Sequence, residues 1–417
     1  MTSNNHASQA WSRHDFLWVL SLFGTAIGAG ILFLPINAGV GGLWPLLIIA
    51  VICGPMTYYA HRGLSRFILS SSRPGSSITE VVDERFGKAA GMLITVLYFF
   101  SIYPIVLIYA VGITNTVQSF IVNQMGLASP PRALLSAVLI AAFMLCILSG
   151  EKIMLKVTEW IVYPLLLSLL FISIYLIPQW NLSIFREAHF IFTDVSLTLW
   201  MILPVVVFAF NHGPIISYFS MAQQRHYGDK AEKKASQILR GNAACMWVFV
   251  MFFVFSCVLS LTPEDMAQAK AQNISILSYL ANMGDSAFII YFAPLIAFTA
   301  ITSSFFGHYL GAVEGLKGIV DKSLAARGKS ISSKKINIIM SAFMFLTCWL
   351  AAIKNPSILG LIETISGPII ALILFVMPMC AVYIIADLRR YRGQWSNIFV
   401  LVIGTATVLS AFYAIFS

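Results

Sequence analysis

Three glycines fall within seven positions in the middle of the first long apolar stretch: Gly24, Gly28 and Gly30. The stretch runs from residue 16 to about residue 40, which is long enough for a helix to cross a bilayer. Glycine lets the backbone leave the helical conformation, and this exposes N–H and C=O groups. In lipid each exposed group costs several kcal/mol, so such groups persist only where they line a protein cavity. A broken first helix therefore predicts a substrate site near the membrane midplane, as in secondary transporters.

The composition is typical of a polytopic membrane protein. Hydrophobic residues make up 59% of the chain and charged residues 10%, against about 25% charged residues in soluble domains. The six cysteines all lie in apolar stretches and lack the spacing of a metal site or a disulfide framework. We interpret them as small buried apolar residues, and we expect no cofactor.

The apolar stretches predict an all-α fold with about eleven transmembrane helices. Residues 1–15 are expected to form a polar tail before the first span. Two shorter helices are expected outside the spans: one over residues 77–86, and one that starts at Pro263 with Thr262 as its N-cap. The predicted spans cover residues 16–38, 43–70, 90–120, 133–149, 153–177, 195–219, 243–261, 286–312, 336–353, 357–384 and 395–416.

Lysine and arginine lie mainly on one side of the predicted bundle. With the N-terminus in the cytoplasm, all but four of the 26 Lys and Arg residues fall in cytoplasmic segments. This distribution is a strong positive-inside signal, and it assigns the net charge of +9 to anionic lipid headgroups rather than to nucleic acid. An odd number of spans then places the C-terminus outside. The four basic residues on the outer side are Arg132, Arg186, Lys270 and Lys354.

A second break is predicted in the sixth span, where Asn211, His212, Gly213 and Pro214 follow one another in an apolar run. Proline has no N–H to donate, and glycine loosens the turn. Breaks in spans one and six imply a unit of five helices, and because five is odd, the second unit enters the membrane from the opposite side. Two unrelated kinked helices are the alternative. The predicted domains are residues 1–15 for the tail, 16–177 and 195–384 for the inverted repeats, and 395–417 for an eleventh helix.

The two breaks are suited to a zwitterionic amino acid. The half-helix that starts near Gly28 presents free N–H groups and a positive dipole end, which favour a carboxylate. Carbonyl groups freed at the second break can receive an ammonium group. A tyrosine of span three is expected to add a hydroxyl group, with a bond to a neighbouring helix as the alternative. The candidate substrate-binding residues are Thr25, Ala26, Gly28, Ala29, Gly30, Tyr103, Phe208, Ala209, Asn211 and His212.

Oxygen atoms near the first break also form a candidate ion site. Carbonyls of span one, together with hydroxyls of span eight, would make an oxygen shell of the kind that Na⁺ uses. The alternative is that these hydroxyls bond the preceding turn or another helix. Ionisable groups inside the membrane are candidates for proton coupling, although a buried histidine can also be an ordinary core residue. The candidate Na⁺ ligands are Gly24, Ile27, Thr299, Thr302 and Ser303, and the further candidates for proton coupling are His308 and Glu363.

Seven motifs, which occur in one order over nearly the whole chain, carry a resemblance to a known family. They resemble the bacterial serine and threonine permeases of the hydroxy/aromatic amino acid permease family. The resemblance implies a proton-coupled symporter of the inner membrane with eleven spans and the fold of the amino acid–polyamine–organocation superfamily. The motifs occupy residues 24–42, 103–104, 177–180, 210–212, 257–263, 307–311 and 355–360.

The chain departs from this family at Ser303, where close serine-permease relatives carry a lysine that can stand in for a cation. Ser303 suits Na⁺ at least as well, so the coupling ion stays open at this stage. We expect a secondary active symporter that imports serine or threonine with H⁺. The alternatives are a Na⁺-coupled permease, a permease for D-serine or an aromatic amino acid, and an amino acid sensor without transport. We expect no enzyme activity, because the sequence has no paired carboxylates, metal cluster or nucleophile motif.

Overall fold

The computed structural model describes residues 11–149, 151–182, 190–284, 286–329 and 332–416, and these residues form an all-helical bundle. The expected tail up to residue 10 and Arg186 lie outside the described residues. We number the longer helices in chain order. They are α1 (Arg13–Ala26), α2 (Ala29–Val40), α3 (Leu43–Leu69), α4 (Ile78–Ser119), α5 (Arg132–Leu148), α6 (Glu151–Leu176), α7 (Phe192–Ala209), α8 (Gly213–Tyr227), α9 (Ala231–Ser260), α10 (Pro263–Ala271), α11 (Ile276–Met283), α12 (Ala287–Ala325), α13 (Ser333–Lys354), α14 (Ile358–Ile384) and α15 (Trp395–Phe416).

The first crossing is broken where the glycines predict it. Helices α1 and α2 meet at an angle of 57°. Between them Ile27 has an extended backbone, with φ −75° and ψ 102°, and Gly28 has φ −159° and ψ −149°. The predicted interruption of the first span is confirmed.

The second predicted break is also confirmed. Helix α7 ends at Ala209, and α8 begins at Gly213 with Pro214 in its first turn. Proline is favoured in a first turn because its missing N–H has no intrahelical partner there. The intervening residues, Phe210 to His212, are buried and non-helical.

Nine helices of the described chain are long and apolar enough to cross a membrane, or ten if the bent pair α1–α2 is one span. Helix α5, with 17 residues, is shorter than these. One of the nine runs over 48 residues from Gly213 to Ser260. At 1.5 Å per residue it would be about 70 Å long, more than twice the bilayer core, so we assign α8 and α9 to different crossings. The count of eleven and the inverted repeat stay predictions.

The expected short helix over residues 77–86 is confirmed as the first part of α4. It is separated from the rest of α4 by Gly87, which has φ 81° and ψ 166°. Glycine adopts such a positive φ without the steric cost that other residues pay.

Helix α12 approaches α4 and α8 closely because it carries glycines at the contacts. A Cβ atom added to Gly315 would lie 3.0 Å from the Phe99 Cα of α4, and one added to Gly311 would lie 2.8 Å from the Pro214 Cβ of α8. Small residues let helix backbones approach in membranes, where association depends on packing. Helix α12 is thereby packed against both α4 and the second broken helix.

One end of the bundle, which we call the basic end, carries ion pairs between loops and helix ends. Arg66 donates to Glu232 at 2.7 Å, and Lys322 donates to Asp83 at 2.6 Å. These basic residues belong to the segments that the positive-inside rule assigns to the cytoplasm. The orientation of this end relative to a membrane is an inference from charge.

At the opposite end, asparagines fix the α10–α11 segment to the bundle. Asn273 lies between α10 and α11, and its side chain donates to Asn355 Oδ1 at 3.1 Å and to the Pro356 carbonyl at 2.9 Å. Asn115 of α4 donates to the Asn273 carbonyl at 2.8 Å. Asn273 and Asn355 have φ values of 55° and 49°, a region that asparagine tolerates better than most residues.

The predicted N-cap of α10 is confirmed. Thr262 Oγ1 accepts the N–H of Asp265 at 3.2 Å, and Asp265 accepts the N–H of Thr262 at 2.9 Å. Burial opposes the charged form of Asp265, but the hydrogen bonds from Thr262 and Tyr279 hold the pKa of this carboxyl below its usual value. Burial and the bond to the carboxylate raise the pKa of Tyr279 to about 12.

A buried ion pair at the basic end joins the start of α1 to α9. Lys234 Nζ lies 3.1 Å from Asp15 Oδ2, and the two side chains are 4% and 1% exposed. Tyr227, at the end of α8, donates its hydroxyl to the other carboxylate oxygen of Asp15. The cluster therefore ties both broken helices to α9.

We expect Lys234→Met to destabilise the protein, because it leaves the buried Asp15 carboxylate without its cation. Removing one partner of a buried pair costs about 3–5 kcal/mol. The thermal unfolding midpoint in detergent should fall clearly, and adding Asp15→Asn should recover much of the loss, since asparagine can still accept from Tyr227. Lys270→Met, at a half-exposed position, is the control and should change little. Losses that simply add in the double variant would contradict the coupling.

Candidate functional site

Two successive serines of α12 bond the carbonyl groups that the first break leaves free. The last helical hydrogen bond of α1 runs from the Ile27 N–H to the carbonyl four residues earlier, so the carbonyls that follow have no N–H partner within the helix. Ser303 Oγ lies 3.2 Å from the Gly24 carbonyl and 3.1 Å from the Ala300 carbonyl of its own helix, so the two carbonyls share its one hydrogen. Ser304 Oγ donates to the Thr25 carbonyl at 2.6 Å. The break is thus bonded to a neighbouring helix inside the bundle.

Ser304 also connects the break to Tyr109 and His308. The Ser304 and Tyr109 hydroxyl oxygens lie 2.7 Å apart. Because the Thr25 carbonyl can only accept, Ser304 donates to it, and the Tyr109 hydroxyl donates to Ser304. His308 Nδ1 lies 2.9 Å from the Ser304 carbonyl, which requires a hydrogen on that nitrogen. His308 is thereby tied to the preceding turn of its own helix.

Tyr103, a predicted substrate-binding residue, is not brought to the breaks. It stacks on Phe99, with ring centroids 4.9 Å apart, and on Phe343 of α13, at 5.6 Å. The tyrosine at the first break is Tyr109. Tyr109 follows Tyr103 by six positions, and this spacing places them on different faces of α4.

Helix α2 begins at the first break with no side chain capping its first turn. The N–H groups of that turn are available to an acceptor from outside the helix. The space in front of them is narrow, because a Cβ atom added to Gly28 would lie 2.5 Å from Ser304 Cβ. A Cβ atom added to Gly30 would lie 2.7 Å from Ala209 Cα. The two breaks therefore touch at Gly30, where a larger residue has no room.

The second break is stabilised by its own residues and by α3. The Asn211 N–H donates to the Phe208 carbonyl at 3.2 Å, and Asn211 Oδ1 accepts the Gly213 N–H at 2.9 Å. The Phe208 carbonyl, expected to face a substrate ammonium, already has one partner. His212 is buried and donates its backbone N–H to His61 Nε2 of α3 at 3.1 Å.

Two of the five candidate Na⁺ ligands, Gly24 and Ser303, are within hydrogen-bond distance of each other. Thr302 and Thr299 each donate to a carbonyl of the preceding turn, at 2.7 Å and 3.0 Å. These two hydroxyls therefore bond the preceding turn of their own helix, which is the alternative to an ion site given in the sequence analysis. Because the backbone of Ile27 is extended, its carbonyl is not aligned with the axis of α1.

Glu363, a predicted coupling residue, lies at the opposite end and away from the breaks. Its Oε1 accepts from Asn37 at 2.9 Å and lies 3.9 Å from Lys270 Nζ. Asn37 is nine residues beyond Gly28, which corresponds to about 13 Å along α2. Glu363 therefore joins α14, α2 and α10. The remaining predicted binding residues, Thr25, Ala26 and Ala29, are buried at the first break.

Three polar residues that the sequence did not single out take part in the polar core: His61, Asn242 and Glu314. Glu314 of α12 accepts from Tyr98 Oη at 2.8 Å and from Ser217 Oγ at 2.7 Å. The one available signal is that each is an ionisable or amide residue within a long apolar helix. That signal does not identify the partner on another helix.

The residues at the two breaks are buried. A cavity much larger than the space beside them lies at the end of the bundle opposite the basic end. That cavity has a volume of about 560 Å³. A space of about 10 Å³ adjoins the second break, between Asn211, Pro214 and α14. The structure therefore shows the two breaks in contact with each other, with little free volume at the second break. The large cavity is lined, among others, by Trp44, Asn181, Asp194, Thr198 and Thr262.

Two broken helices that meet within an all-helical membrane bundle define a secondary-transporter fold. The structure is similar to that of MhsT in complex with L-phenylalanine, with a TM-score of 0.57, 14% identity and coverage of 97% of this chain and 98% of that chain. It is also similar to a Na⁺-coupled sialic acid symporter in a substrate-bound outward-open state, with a TM-score of 0.56, 14% identity and coverage of 96% and 89%. At this identity the likeness concerns the fold alone.

Within this class, the chain belongs to the tryptophan/tyrosine permease family, whose profile matches residues 14–415. It is 53% identical to the serine transporter SdaC of Escherichia coli, over 100% of this chain and 98% of that protein. It is 52% identical to the serine transporter SdaC of Shigella flexneri, with the same coverage. The family resemblance predicted from the motifs is confirmed, and the chain is a multi-pass membrane protein and amino acid permease.

We expect Gly30→Ala to lower the thermal unfolding midpoint in detergent, because the added methyl group collides with the Ala209 backbone, which cannot rotate away, as well as with the Phe208 ring. Overpacking a close contact costs about 1–3 kcal/mol. Gly112→Ala is the matched control on α4, since its Cβ would meet Ile301 at an ordinary 3.5 Å. Equal midpoints for both variants would contradict the contact between the breaks.

Proposed function

We propose that this permease is a secondary active symporter that imports serine, or the related hydroxy amino acid threonine, across the bacterial inner membrane. The observation that carries the proposal is the contact between the two breaks at Gly30, which puts an uncapped helix start beside the end of α7. The full-length similarity to proteins named serine transporters supports the substrate class.

The α-carboxylate of the substrate binds the free N–H groups at the start of α2, where the helix dipole is also favourable. The ammonium group binds carbonyl groups at the end of α7, including the second lone pair of Phe208. Tyr109 and Ser304 contribute hydroxyl groups beside Gly28. Asn211 acts mainly as a support of the break, because its Oδ1 is bonded to the Gly213 N–H.

H⁺ is the proposed coupling ion, and Na⁺ is the second candidate. The observation that favours Na⁺ is the closeness of the Gly24 carbonyl and Ser303 Oγ, two oxygens that can turn toward a cation. With either ion, the transport cycle makes and breaks no covalent bond of the substrate, so the protein works as a carrier and not as an enzyme. The basic end faces the cytoplasm in this proposal, and so does the N-terminus.

Proteoliposome uptake tests the function. An inwardly directed proton gradient should drive the accumulation of labelled serine above its external concentration, and unlabelled threonine should compete for uptake. Gly28→Ala should reduce uptake at least tenfold, because its methyl group would displace Ser304 and block the start of α2. Gly112→Ala should transport like the wild type. Serine binding without any net accumulation would indicate a sensor instead, and competition by D-serine or aromatic amino acids would redefine the substrate.

A separate experiment distinguishes the coupling ions. If H⁺ drives transport, uptake at a fixed proton gradient should be unchanged when external Na⁺ is replaced by choline, and Ser303→Ala should not create or remove a Na⁺ response. Na⁺-dependent uptake at fixed pH that is lost in Ser303→Ala would assign the ion to the oxygens at the first break. Size-exclusion profiles of the variant would establish that it folds.

A further inference from the structure

His61 is held in one neutral tautomer by two backbone groups. Its Nδ1 lies 2.7 Å from the Thr57 carbonyl, so Nδ1 carries the hydrogen and donates it. Its Nε2 then has a lone pair, which accepts the backbone N–H of His212 at 3.1 Å. Both ring nitrogens are used, and a further proton on His61 would break the bond that supports the second helix break.

His212 stacks on His61, and one of its ring nitrogens has no well-formed hydrogen bond among the described residues. The two ring centroids are 3.5 Å apart and the planes differ by 4°. His212 Nε2 lies 3.2 Å from the Nδ2 of Asn242, and that amide nitrogen is a donor, so Nε2 accepts. The hydrogen of the neutral ring is therefore on Nδ1, which is buried and faces the backbone of Phe210 without a well-formed hydrogen bond.

The Oδ1 atom of Asn242 can accept a hydrogen bond from a protonated His212. The Oδ1 of this fully buried asparagine has no hydrogen-bond partner, whereas its Nδ2 faces His212. A proton added to His212 Nε2 turns that nitrogen into a donor. A half-turn of the Asn242 amide then presents Oδ1 to it, and one unsatisfied acceptor gains a charge-assisted hydrogen bond.

We propose that the His61–His212 pair, together with Asn242, is the site that binds the transported proton. The inference rests on the proposed function, that is, on proton-coupled symport. A proton from the aqueous phase binds the Nε2 lone pair of His212 and later leaves from it, and no other bond is made or broken. The stacked neighbour His61 cannot accept a second proton without losing the His212 N–H, so the pair takes one proton for each cycle.

The position of the proton in the break couples it to the substrate. A charge on His212 attracts the substrate carboxylate at the start of α2 and repels the ammonium group at the Phe208 carbonyl, and positive coupling requires the attraction to be the larger of the two. Proton and substrate then strengthen the binding of each other by the same factor. The titratable groups that face His212 are His61 on α3 and His308 on α12, while α9 presents the neutral amide of Asn242.

The test compares His212→Gln with the wild type in two transport modes. Glutamine keeps an amide near Asn242 but does not titrate. A one-unit proton gradient should drive up to about tenfold accumulation of serine in the wild type, and none in the variant, because one pH unit corresponds to about 1.4 kcal/mol for each proton. Serine counterflow, which exchanges labelled for unlabelled substrate without a gradient, should persist in the variant.

Two further histidine variants make the result specific. His226→Gln, on an exposed residue at the basic end, should keep gradient-driven accumulation. If accumulation persists in His212→Gln, or is lost only in His308→Gln, the inference is overturned while proton symport stands. If the wild type neither accumulates nor exchanges serine, the proposed function itself fails.

A measurement on the wild type keeps the inference testable if His212→Gln does not fold. Calorimetric titration with serine near neutral pH, in two buffers of different ionisation enthalpy, counts the protons taken up on binding. The proposal expects an uptake approaching one proton for each serine bound, and Asn242→Leu, which removes the amide acceptor, should reduce it. A heat of binding that is independent of the buffer would overturn the proposal.

Discussion

A broken helix in a membrane exposes backbone groups that water cannot reach, and the rest of this structure depends on how they are bonded. At the first break, the Gly24 and Thr25 carbonyls accept from two successive serines of α12. At the second break, the His212 N–H donates to His61 of α3. Each break is thus supported by a helix that is itself continuous at that point. This arrangement keeps the unwound segments in place without an α-helical ladder.

The two halves of the first broken helix are fastened at different ends of the bundle. Asp15, at the start of α1, is bonded to Lys234 and Tyr227 at the basic end. Asn37, near the end of α2, donates to Glu363 at the opposite end. In the proposed transport cycle, the break would let the halves move separately, so that either end opens while the other contact holds. An ion pair that is almost fully buried costs more to separate than an amide bond to a carboxylate that is 23% exposed, so the two ends are not equivalent.

The sequence predicted what depends on local backbone chemistry. Glycine and proline mark both breaks, and threonine with an acid three residues later marks the start of α10, because these signals act within a few residues. It predicted few of the contacts that side chains make across helices. Tyr103 and Tyr109 are both tyrosines of the same apolar span, so the sequence alone does not distinguish them. Only the packing of α4 against α12 brings Tyr109, and not Tyr103, to Ser304. In the sequence His61 is a single polar residue in an apolar span, and only the fold shows that its ring stacks on His212. The sequence did place Ser303 near the Gly24 carbonyl, but it did not predict that the next residue, Ser304, bonds the Thr25 carbonyl.

The two candidate coupling sites, at Ser303 and at the histidine pair, differ in whether their polar groups already have hydrogen-bond partners. A cation bound between the Gly24 carbonyl and Ser303 must turn the Ser303 hydroxyl hydrogen to the Ala300 carbonyl, which lies 3.1 Å from Oγ, so the cation replaces the bond between Ser303 and Gly24. His212 Nδ1 instead faces the backbone of Phe210 without a well-formed hydrogen bond, and Asn242 Oδ1 has no hydrogen-bond partner among the described residues. Leaving such a group unsatisfied costs about 1–3 kcal/mol, and a proton on Nε2 with a turned amide removes the cost at Asn242. In the proposed proton site a free acceptor thus gains a bond, whereas a cation at the serine replaces one, and burial of the added charge opposes binding at both sites.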